Sequence, residues 1–132
     1  MLKDHDSSAI VAVADLDRAR AFYGGTLGLE PAEEGGEEGV LVYRTGATRL
    51  VVYQSQYAGS NRANAVVWGV GDDLEAIVSD LRARGVAFER YEFEGATFAD
   101  GVHRMGDFRM AWFKDPDGNI LHINSGSDIG AG

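Results

Sequence analysis

Apolar and polar positions along the chain follow one plan twice. Ala9–Val13 is an unbroken apolar run suited to a buried strand. Asp15 follows as a helix N-cap, and Leu16, Ala19, Ala21, Phe22 and Tyr23 keep a mostly helical spacing until Gly24-Gly25, where the helix is expected to stop. Leu27–Pro31 leads into a weak strand. Val40–Tyr43 and Leu50–Tyr53 read as two more, joined through Gly46-Ala47. Between them and the weak strand lies an acidic, glycine-rich turn, Glu33–Glu38, and after them a polar linker.

The plan then returns. Ala65–Val70 is a strand, and Asp73 caps a helix whose Leu74, Ile77, Val78 and Leu81 form an apolar stripe at i, i+3, i+4 and i+7. Gly85 ends that helix, Val86–Phe93 is a strand, and Glu94–Gly106 is a long loop, either a lid or a disordered surface loop. Arg109–Lys114 and Asn119–Asn124 close a hairpin around the four-residue turn Asp115-Pro116-Asp117-Gly118, in which proline presets φ and glycine takes the strained last position. Asp15-Leu16 recurs as Asp73-Leu74, and Gly28-Leu29 as Gly85-Val86, at offsets that differ by one residue. The expected fold is therefore α+β. Two βαβββ modules, about residues 7–55 and 64–125 with a linker at about 56–63, pair into a curved mixed sheet that encloses a cleft, with the helices outside.

Alternation fixes which side chains share a face. Ser8, Ile10 and Ala12 should point inward, away from a helix. Ile120, His122 and Asn124 should lie on one face of the last strand, and Leu121 and Ile123 on the other, against a helix. A four-residue turn then sets Ala111 opposite His122 and Phe113 opposite Ile120, and turns Trp112 toward the helices.

Composition narrows the chemistry. The 132 residues hold no cysteine, which removes disulfides, thiolate metal sites and a cysteine nucleophile, and fits a cytoplasmic protein. No apolar run is long enough to span a membrane, and the first residues lack the apolar core of a signal peptide. A net charge of −9 argues against nucleic acid and favours, if anything, a cationic small molecule. Neither a phosphate-binding glycine loop nor a nucleophile elbow is present, and the last residues, Ser125–Gly132, read as a flexible tail.

The segments Asp15-Leu16-Asp17-Arg18-Ala19-Arg20-Ala21-Phe22-Tyr23, Leu27-Gly28-Leu29, Asp73-Leu74, Leu81–Val86 and Phe113–His122, taken with the doubled plan, resemble the vicinal oxygen chelate superfamily. That superfamily includes glyoxalase I, fosfomycin- and bleomycin-resistance proteins and extradiol dioxygenases. Tyr53–Asn61, Glu89–Phe93 and Asp100-Gly101-Val102 are similar to a bacterial subgroup of glyoxalase-like proteins. The resemblance implies four cleft-facing ligands, His or Glu, one from the first and one from the last strand of each module. Carried over position by position, Ser8 stands where His is usual. Ala65 (or Asn64 or Val66) and Val51 or Tyr53 hold the next two places, and His122 stands where Glu is usual. One good donor in four does not suit a divalent metal, so no cofactor is expected.

The ligand-binding residues expected are Ser8, Tyr53, Trp68, Tyr91, His103, Arg109, Phe113 and His122, with His122 also the candidate catalytic base. The expected function is metal-independent binding of a small aromatic or cationic molecule, by a homodimer. The alternative is a lyase or isomerase resembling glyoxalase I, with or without a divalent metal.

Overall fold

The computed structural model describes residues 1–32 and 38–126. The acidic turn falls mostly in 33–37, and most of the tail in 127–132, outside the described residues. The chain divides into two compact units, Met1–Asn61 and a second beginning at Arg62.

In the first unit, β1 (Ala9–Val13) leads through Asp15 into helix α1, Leu16–Ala19 with a continuation at Arg20–Thr26. The Asp15 carboxylate accepts from the backbone N–H of Asp17 at 2.8 Å and of Arg18 at 3.1 Å, satisfying two donors that have no partner inside the helix. Gly24-Gly25 does not stop the helix. From Arg20 it widens to a π-helix, with Leu27 N–H donating to Phe22 O at 2.8 Å, because two residues without side chains offer no hindrance to the wider turn. The exit comes at Gly28, φ 73°. Strands β2 (Glu30–Pro31), β3 (Val40–Thr45) and β4 (Thr48–Gln54) complete a four-stranded sheet in the order β1-β4-β3-β2, with β1 parallel to β4 and the rest antiparallel. Val11, Val13, Leu50, Val52 and Tyr43 lie on one face and are buried, as is Tyr23 of α1. Ile10, Ala12, Val51, Tyr53, Val40 and Val42 share the other face, on which Ile10 is 58 % exposed.

In the second unit, β5 (Asn64–Gly69) leads through a short 3-10 turn to α2 (Leu74–Ala83). Asp73 stands at the cap position but accepts no capping bond, since the preceding turn already holds it in a helical conformation, φ −79° and ψ −2°. The stripe behaves as its spacing dictates: Leu74, Val78 and Leu81 are buried.

Residues Val86–Phe93 form no regular strand. Only Phe88 bridges to Phe113, and Glu89 N–H donates to Trp112 O at 2.8 Å. The expected loop is instead a tight hairpin, β6 (Thr97–Ala99) and β7 (Val102–Met105), turned by Asp100 at φ 53° and Gly101 at φ 85°. A side chain at Gly101 would also press at 3.2 Å on Phe88 and Val78. With β8 (Phe108–Lys114) and β9 (Ile120–Asn124) these strands form a five-stranded sheet in the order β5-β9-β8-β7-β6, parallel only between β5 and β9. A mixed α+β fold of open sheets results, as expected, with four and five strands rather than four each. No helix among the described residues is long and apolar enough to cross a membrane.

The closing hairpin differs from expectation by one residue. Trp112, not Ala111, pairs with His122, and Phe113 pairs with Leu121. The cause is the turn. Gly118 N–H donates to Asp115 O at 3.0 Å, as a four-residue turn requires, but the Asp115 carboxylate also captures the backbone N–H of Asn119 at 2.8 Å and its side-chain amide at 2.8 Å. Asn119 is thereby drawn into the loop, and its carbonyl pairs with Asp115 N–H. A one-residue slip exchanges the two faces of a strand.

Candidate functional site

The slip decides what His122 meets. Residues directly opposite in neighbouring strands share a face, so Val67, His122, Trp112, Met110 and His103 lie on the face of the second sheet away from α2. The Trp112 indole stacks on the His122 imidazole, centroids 4.5 Å apart and planes 23° from parallel, and on Phe93 at 5.4 Å. Tyr91 and His103 meet the indole edge-on at 5.3 and 5.1 Å, and Phe98 meets His103 at 4.7 Å. These rings are packed on one another rather than set around an open surface. Phe93, 40 % exposed, and Val67, 43 % exposed, remain the accessible apolar side chains of the cluster.

His122 is buried, yet each ring nitrogen has a partner. Nδ1 lies 3.1 Å from the Ala111 carbonyl and Nε2 lies 3.2 Å from the side-chain nitrogen of Asn124. Burial pushes its pKa below the usual histidine value, against a smaller opposing effect of the Ala111 carbonyl, which favours the protonated ring. His103 is buried more deeply and less well served. Its Nε2 meets both the N–H of Tyr91 at 3.0 Å and the carbonyl of Tyr91 at 3.2 Å, filling the gap left where the 86–93 segment departs from β8. Its Nδ1 is buried with no hydrogen-bond partner. Burial lowers this pKa too, the nearby backbone carbonyls of Tyr91 and Met110 opposing it.

Of the residues expected at a site, Tyr91, His103 and His122 come together. Others do not. Trp68 pairs with Ile123, on the helix face, because β5 runs in register with β9 there. Arg109 lies on that face as well: its guanidinium donates to both Glu75 carboxylate oxygens of α2, at 2.7 and 2.6 Å, and to Asp72 at 3.1 Å. The Arg109 guanidinium, with help from Arg104, holds the Glu75 carboxyl below the usual carboxylate range. Phe113 is core, its ring 5.4 Å from Phe88. Ser8 and Tyr53 belong to the first unit. Ser8 is exposed just ahead of β1, and Tyr53 is 36 % exposed on the sheet face it shares with Ala12. Val67, Phe93, Phe98, Met110, Trp112 and Asn124 of the cluster were not among the ligand-binding residues expected. Trp112 was hidden by the register. Asn124 was legible, since alternation already set it beside His122.

A family model described as the Glyoxalase/Bleomycin resistance protein/Dioxygenase superfamily matches residues 7–123. The chain belongs to this superfamily. Solved structures similar to it include a glyoxalase/bleomycin resistance protein/dioxygenase from Alicyclobacillus acidocaldarius, 19 % identical, covering 97 % of this chain and 96 % of that one, with a TM-score of 0.68. The fosfomycin resistance protein FosX from Mesorhizobium loti is 14 % identical, with coverage of 94 % and 93 % and a TM-score of 0.66. Lactoylglutathione lyase from Agrobacterium tumefaciens is 16 % identical, with coverage of 91 % and 92 % and a TM-score of 0.62. At these identities the likeness shows the fold.

A divalent metal, of the kind the superfamily resemblance implies, finds a poor donor set in this glyoxalase-family chain. Ser8, Val51 or Tyr53, and Ala65 offer no imidazole or carboxylate, and His122 has both nitrogens engaged. Among the described residues no three His, Asp or Glu side chains stand together as a metal site.

Proposed function

We propose that this glyoxalase-superfamily protein binds a small aromatic or cationic molecule without a divalent metal, as a cytoplasmic homodimer. The ligand rests on Phe93 and Val67 beside His122. The observation that carries this reading is the engagement of His122. The one good donor among the four carried-over positions is stacked on Trp112 and hydrogen-bonded at both nitrogens, an arrangement that offers a neutral polar edge in an apolar surround. The net charge of −9 favours cations over anions.

The test is metal content by mass spectrometry, before and after soaking with zinc, nickel and manganese, followed by a thermal-shift screen of aromatic amines and quaternary ammonium compounds. Negligible metal and a raised Tm with members of the panel are expected. One metal per chain, or a panel without a binder, overturns the reading. Light scattering at micromolar concentration should give the mass of two chains.

A second reading has its own observation. A neutral imidazole buried against an indole is placed to act as a general base, which suits a lyase or isomerase. It predicts turnover of lactoylglutathione, the compound named for the Agrobacterium neighbour, that His122→Ala abolishes.

A further inference from the structure

The hydrogen bonds around His122 form a one-way chain. Gly71 N–H donates to Gly126 O at 2.9 Å, and Ser125 N–H donates to Arg109 O at 2.9 Å, so the backbone at 125–126 is tied to two neighbouring segments. The N–H of Gly126 points at the side-chain oxygen of Asn124, 2.9 Å away. An N–H requires an acceptor, so the Asn124 amide is oriented with its oxygen toward Gly126 and its NH2 toward His122. That NH2 in turn requires a lone pair on His122 Nε2, 3.2 Å away. The ring proton is left to Nδ1, which donates to the Ala111 carbonyl.

We propose that Asn124 is the positioning residue that sets the proton of His122, and that Gly126 sets Asn124. Each link is replaceable only at the expense of the next. Turning the amide over to receive a proton from Nε2 would set its NH2 against the Gly126 N–H. Any side chain at 126 would place its Cβ 2.9 Å from the Asn124 oxygen, too close for either to stay.

The consequence, which rests on the binding reading above, is selectivity by hydrogen-bond sense. Nε2 carries no proton and one lone pair, held by the Asn124 NH2. A neutral ligand bearing a hydroxyl or N–H donor can take that lone pair in exchange for the amide, whereas a carboxylate of similar size finds no donor there.

The tautomer is read directly from the imidazole 15N shifts of the free protein. Nε2 should show the pyridine-type resonance and Nδ1 the pyrrole-type. Asn124→Asp replaces the donating amide by an acceptor and should raise the His122 titration midpoint by a unit or more, a tenfold gain in proton affinity. Gly126→Ala, which alters neither partner, should shift His122 toward a tautomer mixture. A protonated Nε2 in the parent protein overturns the proposal, as does an unmoved midpoint in Asn124→Asp. Should Asn124→Asp fail to fold, a parent-like spectrum in Gly126→Ala overturns it by itself. Added phenol should then move the Nε2 resonance more than benzoate does. Equal or opposite effects, or silence with both, remove the ligand preference while leaving the tautomer result intact. A failed metal or thermal-shift result removes the binding reading without touching either.

Discussion

The two sheets are built on one plan and differ in what they carry on the face away from the helix. On the first, that face is Ile10, Ala12, Val40, Val42, Val51 and Tyr53, nearly all aliphatic. On the second it is Val67, Met110, Trp112, His103, His122 and Asn124, with Tyr91 and Phe93 packed onto it. Both pair their first strand in parallel with their last and place a helix after the first strand, the second sheet having one strand more. What distinguishes them is the chemistry, and it comes from the second unit. A repeated fold thus conserves the buried helix-facing side and leaves the opposite side free to diverge, since nothing in the backbone plan depends on it.

The largest effect that sharpens this contrast is at Trp112. Its indole is buried between β8 neighbours and touches four other rings, so Trp112→Ala should cost about 3–5 kcal/mol in urea unfolding. Val51→Ala, the analogous truncation on the half-buried face of the first sheet, should cost about 1 kcal/mol or less. Equal costs would mean the two faces do not differ in packing as described.

Next in size is the turn that sets the register. Asp115→Ala removes the acceptor of the Asn119 backbone and side-chain bonds and of the Asp117 N–H at 3.0 Å. A loss of about 2–3 kcal/mol is expected, from buried donors left without partners. Calorimetry checks the size. Loss of the Trp112–His122 ring-current shifts would show that the hairpin has also changed register.

That turn marks where the sequence stopped being legible. The doubled strand–helix plan, the α2 stripe and the burial of Leu121 and Ile123 follow from hydrophobic periodicity, which is a local property. The register of the last hairpin depended on one carboxylate reaching four residues ahead, and a single-residue error moved Trp112 from the expected core side to the side of His122. The strand expected at 86–93 failed for a related reason. Its apolar residues are real contacts, Phe88 with Phe113 and Tyr91 with Trp112, but its backbone beyond Glu89 pairs with the His103 imidazole instead of a strand. Arg109 and Trp68 looked like site residues because they are large and polar or aromatic. Only strand register could assign them to the helix side.

A smaller effect separates the two buried histidines from each other. Both have pKa values lowered by burial, so the unfolded chain binds protons more tightly than the folded one. Stability is therefore full above the ordinary histidine value of about 6.5 and falls as pH drops from there through each lowered value, by at most about 1.4 kcal/mol per pH unit for each group. His103 has the poorer set of bonds, with Nδ1 unpaired, and its Tyr91 contact serves either tautomer at the loss of one bond. His103→Gln should flatten the decline between pH 6.5 and 5 in denaturation midpoints. An unchanged slope would place the acid sensitivity at His122 alone.

The smallest effect lies on the opposite side of the second sheet, where Arg109 and Arg104 converge on Glu75. If Arg109 were a ligand-binding residue, Arg109→Met would weaken ligand binding and leave stability nearly untouched. The observed geometry reverses this. The guanidinium is turned to α2 and paired with two carboxylates, one of them fully exposed, so solvent screens much of the attraction. The methionine keeps most of the side chain's packing. Stability should fall slightly, the difference should fade as sodium chloride is added, and affinity for any ligand found in the thermal-shift screen should be unchanged. A large loss of affinity with stability intact would move the site to the helix face and undo the distinction between the two sides of this sheet.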